Sequence, residues 1–262
     1  MKTIFLGSTT FSAEILNDLL DSSVNVEAVF YIPEYFKISY SEEPVRNYNY
    51  ADIRSIADSN GIPSFEVDSE KGKRFTDYSK AIEKIAPDVI LVMGWYYMIP
   101  KTIRVMARYG AWGIHSSLLP KYAGGAPLVW AIIEGCKETG VTLFRMEDGV
   151  DDGDIIAQKT IPIEDTDTIR EVYDRATTAS KELLKQIFVQ KKPFTFTPQN
   201  KDKTEIYPQR KPEDGLINWN WDNKRIKNFI RAQTKPYPGA FFLVNGKKVI
   251  IWDADVTDET FS

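Results

Sequence analysis

Alternating strand-like and helix-like patterns through about residue 190 predict an α/β protein: a Rossmann-like doubly wound, mostly parallel sheet with a small β-rich C-terminal appendage. Three observations carry this. Asp88–Met93 is a continuous apolar run of the kind buried on both faces of a parallel sheet, which places it at the sheet centre. Composition then shifts at Lys191-Lys192-Pro193, dividing a domain over 1–192 from a smaller subdomain over 193–262. Within the latter, Asn245-Gly246 between two apolar runs is the strongest short-range hairpin signal available.

The elements follow in order. Residues 2–6 read as a strand ending at Gly7, and Ser12 is placed to cap a helix whose Ile15, Leu16, Leu19 and Leu20 share one face. Gly7-Ser8-Thr9-Thr10-Phe11 lacks the G-x-G-x-x-G spacing, so no dinucleotide is signalled. Val24–Ile32 makes a second strand, and the aromatic-rich Pro33–Asn49 reads as a loop or lid. A short helix over Asp52–Asn60 stops at Gly61, and a strand follows at Pro63–Val67. Helix is predicted over Phe75–Ile85 and from Pro100 to Tyr109, with Gly94-Trp95-Tyr96-Tyr97 leaving the C-terminal end of the central strand, where open α/β sheets place ligands. Ala111–Ser116 is the next strand, Pro127 opens a helix through Glu134, and Val141–Met146 and Ile155–Ile163 are strands. Thr168 and Glu171 have capping-box spacing for a helix to about Gln190; a further helix is read over Asp222–Ala232.

Composition narrows the function classes. With 43% apolar and 13% aromatic residues the chain can fill a core. Its 33 basic and 37 acidic side chains give a net charge of −4 and no long basic run, which disfavours a nucleic-acid partner. No window approaches the roughly 18 apolar residues of a membrane span. The single cysteine, Cys136, forms no internal disulfide, and the start carries no secretory pattern, so a cytoplasmic protein is expected. One histidine and one cysteine build no closed zinc site, and no metal is expected.

The chemistry-bearing stretch runs from Trp112 to Asp154. His115, the only histidine, stands at the junction of a strand and a loop rich in proline and glycine. Asp151 follows the next strand, and neighbouring strand ends can bring such residues together. An imidazole supported by a carboxylate is a general base suited to taking a proton from an attacking amine. The bland alternative is a lone histidine satisfied in the fold. There is no Gly-x-Ser-x-Gly elbow, which leaves Ser116 and Ser117 little claim as nucleophiles.

His115-Ser-Ser-Leu-Leu-Pro120, Gly-Val-Thr142 and Gly-Val-Asp151-Asp-Gly-Asp resemble the signatures of the 10-formyltetrahydrofolate-dependent formyltransferase family. The resemblance covers residues 2–190, and Arg210-Lys-Pro-Glu-Asp-Gly with Pro236-Tyr-Pro-Gly-Ala-Phe241 is similar to the C-terminal part of its sugar-nucleotide N-formyltransferases. It implies transfer of a formyl group to a primary amine, with His115 as the base, Asp151 as its partner, and an asparagine donating its amide to the developing oxyanion. Here the asparagine position is Gly113, which has no side-chain donor; losing one costs about 10²–10³ in rate. Ala123, where arginine is common in the family, and Ser116, often proline, are smaller departures. Three accounts of Gly113 stand open: a donor from water or backbone, a relative that binds without turnover, or a deliberate substitution.

The resemblance further implies a folate pocket from Met93, Gly94, Leu119 and the loop Gly149, Val150, Asp151, Asp152. On the acceptor side it points to Phe11, Ser12, Lys121, Arg210 and Tyr237, residue types that suit a nucleotide diphosphate or its base. Trp130 reads as core. The implied acceptor is a dTDP- or UDP-linked amino sugar of the kind found in lipopolysaccharide O-antigen, without nucleic acid or membrane partners; a homodimer is compatible with it. The nearest rival is methionyl-tRNA, which calls for a larger basic C-terminal domain than the 11 basic and 9 acidic side chains of residues 200–262. A non-catalytic folate or nucleotide-sugar binder is the second rival, and a formate-releasing hydrolase the third.

Overall fold

The structure, a computed structural model, describes residues 1–37, 43–68 and 73–257. The first half runs β1 (Thr3–Gly7), α1 (Thr10–Asp21), β2 (Val26–Tyr31), β3 (Tyr35–Phe36), β4 (Val45–Arg46), α2 (Ile53–Ser59), β5 (Ser64–Glu66), α3 (Ser79–Ile85), β6 (Val89–Met93), α4 (Lys101–Arg104) and β7 (Ala111–His115). Then follow β8 (Ala123–Gly124), α5 (Pro127–Ile133), β9 (Glu138–Arg145), β10 (Ile155–Pro162), α6 (Ile169–Phe188), β11 (Ile206–Tyr207), α7 (Asn223–Arg231), β12 (Ala240–Val244) and β13 (Lys247–Ile251). Among the described residues, seven strands form one sheet in the order β10-β9-β7-β6-β1-β2-β5. The pairs β6–β7, β1–β6, β1–β2 and β2–β5 are parallel. All five residues of β1 and of β6 are buried, as continuous apolar runs in the interior of a parallel sheet require. No helix of the described residues is long and apolar enough to cross a membrane.

Two compact units divide the chain: Met1–Ile114, Leu143–Ala157 and Ser180–Pro198 form one, and His115–Thr142, Gln158–Ala179 and Gln199–Ser262 the other. In the first unit, Ile4, Leu6, Phe30, Ile82, Ile90 and Ile103 belong to the core around β1 and β6. Trp112, fully buried on β7, is ringed by Tyr109, Phe188, Phe194 and Phe196 at 5.0–6.3 Å between centroids. Its indole N–H donates to the Tyr109 carbonyl at 2.8 Å, so the ring that anchors β7 is both packed and polar-satisfied. In the second unit, Arg231 of α7 is buried and donates to the Glu164 and Asp167 carbonyls at 2.9 and 2.7 Å. The β12–β13 hairpin turns at Asn245 and Gly246, with φ of 50° and 74°, the left-handed pair that a two-residue hairpin turn demands.

Three expectations are corrected. Ser12 does not cap α1; Thr9 does, and Ser12 sits inside the helix as the reciprocal partner of the capping box. The helix from Pro100 ends at Arg104 rather than Tyr109. The amides of Arg108 and Tyr109 donate to the Pro87 and Asp88 carbonyls at 3.0 and 2.8 Å, and those bonds unwind the helical continuation. Within the segment read as a loop, β3 and β4 pair antiparallel, while its residues 38–42 lie outside the described residues. Phe36 is buried there, and Tyr35 and Tyr48 are exposed beside the Arg46 guanidinium.

Candidate active site

β7 carries Gly113 and His115 two positions apart, hence on the same face of the strand. His115 is 8% exposed, and its Nε2 lies 2.7 Å from the Tyr122 carbonyl oxygen. A carbonyl only accepts, so Nε2 carries the proton and the lone pair of the neutral ring resides on Nδ1. Tyr122 presents that carbonyl from a left-handed backbone with φ of 55°. Its hydroxyl donates to Glu134 and contacts the Cys136 sulfur at 3.1 Å, and its ring stacks on Tyr207 at 4.7 Å. Burial, aided by the Cys136 and Glu134 contacts, pushes the Tyr122 phenol well above its ordinary range, so it remains a donor at neutral pH.

The loop after His115 is tied to β9 and β10 by one hydroxyl. Thr142 Oγ1 donates to the Ser117 carbonyl at 2.6 Å and accepts from the Leu119 amide at 3.1 Å and from Gln158 Nε2 at 2.9 Å. Gln158 also donates to the Leu119 carbonyl at 2.9 Å. Ser117 Oγ donates to the Lys121 carbonyl at 2.6 Å, and Lys121 itself is exposed. Leu119 is thus a buried residue whose amide and carbonyl are each hydrogen-bonded to the scaffold.

In the first unit, Ser12 Oγ accepts from the Ser8 and Thr9 amides at 3.1 and 3.0 Å and donates to the Met93 carbonyl. Ser8 Oγ donates to the Gly94 carbonyl at 3.3 Å. The structure therefore brings Ser12, Met93 and Gly94 together at the ends of β1 and β6, with Ser12 fully buried and Phe11 half-buried beside it. Tyr96, half exposed after β6, donates to Asn47 Oδ1 at 3.0 Å.

The acidic loop is shaped by close approach. A Cβ at Gly153 would lie 1.6 Å from the Arg145 carbonyl oxygen, so only glycine fits there. Arg145 in turn donates to Asp154 at 2.6 Å. Val150 is 52% exposed and Asp151 adopts φ of 48°. The Asp152 carboxylate packs on Gly149, and its Oδ1 is buried with no hydrogen-bond partner.

Arg210 and Tyr237 line one cavity of about 140 Å³ in the second unit, together with Lys211, Gln233 and Gly239. The Tyr237 hydroxyl meets that of Tyr173 at 2.7 Å, and burial raises both phenols above their ordinary value. Trp130, read as core, is half-buried with its face under the Arg210 guanidinium at 4.7 Å. Tyr122 and Gln158 carried no sequence signal for their roles; Thr142 belonged to a quoted motif without a role assigned to it.

The formyl transferase family model matches residues 1–188, and that of the formyl transferase C-terminal domain matches residues 210–262. A methionyl-tRNA formyltransferase of Caldanaerobacter subterraneus subsp. tengcongensis is 31% identical over 265 residues, covering 98% of this chain and 82% of that protein. Among solved structures, a sugar N-formyltransferase from Shewanella sp FDAARGOS_354 superposes with a TM-score of 0.71 at 22% identity, over 98% of this chain and 99% of that one. The N-formyltransferase from Helicobacter canadensis, solved with folinic acid and dTDP-3-aminofucose, gives 0.69 at 21% identity, over 100% and 90% of the two chains. Both family segments stand in order along a chain whose relative matches it nearly end to end, and the chain belongs to the formyl transferase family and is a formyltransferase.

Proposed function

We propose that the chain transfers a formyl group from 10-formyltetrahydrofolate to the primary amine of a dTDP- or UDP-linked amino sugar. The observation that carries this reading is the His115 imidazole, held in one tautomer by the Tyr122 carbonyl at 2.7 Å. A fixed ring with its lone pair on Nδ1 is prepared to take the amine proton. Asp151 is its proposed partner, supporting the cation once the proton is taken. The folate supplies the activated formyl carbon.

The residues present fit that donor at one point in particular. Asp152 Oδ1 is a buried acceptor without a partner, and a pteridine ring presents N–H donors that such an oxygen lacks. Met93, Gly94, Leu119 and the loop 149–152 are the proposed walls of its site. The Helicobacter protein, solved with folinic acid and a dTDP-amino sugar, supports both ligand classes. A nucleotide-linked acceptor is further supported by Arg210 and Tyr237 on one cavity, with Lys121 and Phe11 as further proposed contacts. A second reading, formylation of methionyl-tRNA, is favoured by the 31% identity to that enzyme over nearly the whole chain.

Incubation with 10-formyltetrahydrofolate and a panel of dTDP- and UDP-amino sugars, read by mass spectrometry, tests the proposal. A mass gain of one formyl group on a panel member is expected, abolished by His115→Ala. Undiminished transfer by that variant removes His115 from the chemistry.

A further inference from the structure

The second unit carries a cleft of about 550 Å³ walled by Trp130, Trp221 and Phe229 and rimmed by Arg210, Lys211 and Arg225. Small-molecule sites span roughly 300–1,000 Å³. The aromatic rings are fixed rather than loose. The Trp130 indole N–H donates to the Pro208 carbonyl at 3.1 Å, and Trp221 meets Phe229 edge-on at 4.9 Å. Guanidinium planes already lie over them: Arg210 at 4.7 Å from the Trp130 centroid and 5.5 Å from that of Phe229, Arg225 at 4.9 Å from that of Trp221.

The charges of this cleft are unbalanced. Arg210 is half-buried, and its Nη2 donates at 2.7 Å to two neutral oxygens, the Asp214 carbonyl and Gln233 Oε1. Asp214, the one acid lining the cleft, accepts from the Lys211 backbone amide at 2.7 Å. Among the described residues neither Arg210, Lys211 nor Arg225 forms an ion pair with a carboxylate. Burial pulls the Arg210 guanidinium below its ordinary pKa, and the charge of Asp214, which forms no ion pair with it, offsets that cost only in part.

We propose that this cleft is a nucleotide-binding site, in which the base stacks on the Trp130–Trp221 wall or on the guanidinium planes covering it, and the phosphates bridge Arg210, Lys211 and Arg225. Planar guanidinium groups bind phosphate in a fork and stack on aromatic rings, which suits a ligand with both features. The inference rests on the proposed acceptor being nucleotide-linked and extends it by naming the base wall and two further cations. A free nucleoside diphosphate and the terminal nucleotide of an RNA share this chemistry.

Quenching of tryptophan fluorescence and calorimetry would be measured with dTDP, UDP, pyrophosphate and a short single-stranded RNA ending in CCA. The variants are Trp221→Leu and Arg225→Ala, with melting curves to establish that each is folded. Both are expected to weaken dTDP or UDP binding at least about fivefold, the scale of one stacked base or one phosphate contact, and to leave tetrahydrofolate binding unchanged. Pyrophosphate is expected to bind more weakly and to be indifferent to Trp221→Leu. RNA bound more tightly than UDP, and lost in the same variants, keeps the cleft a nucleotide site and assigns the nucleotide to RNA. Formyl transfer to a nucleotide-linked sugar with KM unchanged in both variants overturns the cleft and leaves the acceptor reading intact. Nucleotide binding lost in the variants, with no transfer to any amino sugar, supports the cleft and overturns the acceptor reading.

Discussion

Gly113 is a buried residue of β7 that packing does not oblige to be glycine. An added Cβ would meet Phe144 Cε1 at 3.4 Å and Met146 Cγ and Sδ at 3.6 Å, ordinary van der Waals contacts, and its φ is not positive. Gly113→Asn is therefore expected to fold and, by supplying an amide donor, to raise kcat at least about tenfold with KM little changed. No gain in a steady-state assay means the oxyanion is served by another group. Tyr122→Phe keeps the carbonyl that accepts from His115 but removes the hydroxyl held by Glu134 and Cys136. It is expected to cost about 0.5–1.5 kcal/mol of stability and to lower kcat without raising KM. An unchanged kcat would show that the carbonyl needs no anchor. His115 was legible because a solitary histidine at a strand end stands out. The Tyr122 carbonyl that fixes its tautomer was not, since a carbonyl oxygen belongs to every residue type and leaves no mark in the sequence.

At the scale of elements, β7 is held by the aromatic ring set around Trp112. Trp112→Ala is expected to cost about 3–5 kcal/mol, read as a large fall in melting midpoint, because the cage of Phe188, Phe194 and Phe196 has no smaller side chain to collapse onto. A fall of only a degree or two would show that the cage repacks. The start of α6 carries a pH-dependent contribution. Burial opposes ionisation of Asp167, but the Arg175 guanidinium and the Glu164 amide outweigh it and hold the carboxyl below its ordinary range. A lowered folded pKa gives stability that is present above the ordinary value near 4 and is lost as pH falls through the folded value. The melting midpoint is expected to drop below about pH 4, and Asp167→Asn to flatten part of that drop; an equal drop in the variant assigns it to other acids. Elements with local signatures were legible: the Thr168–Glu171 capping pair and the Asn245-Gly246 turn are set by neighbouring residues alone. The helix from Pro100 was overextended because the bonds that end it come from Pro87 and Asp88, far away in the sequence pattern.

Across the whole molecule, the mostly parallel character of the sheet and the central place of Asp88–Met93 followed from apolar runs and strand–helix alternation, whereas the cleft of Trp130, Arg210, Trp221 and Arg225 did not. Its walls come from α5, α7 and the segment between them, and only the fold sets indole and guanidinium face to face. The 11 basic and 9 acidic side chains of residues 200–262 leave a surplus of +2. That is far from the row of cations that neutralises an RNA backbone, and it is compatible with the proposed nucleotide-linked acceptor. Competition resolves the choice most directly: 10-formyltetrahydrofolate is supplied to the wild-type protein and to Gly113→Asn, with nucleotide-linked amino sugars and methionyl-tRNA offered side by side. Formyl transfer to a dTDP- or UDP-amino sugar, and none to the tRNA, is the expected result. Formylated methionyl-tRNA, or bound ligands with no transfer by either protein, would contradict it.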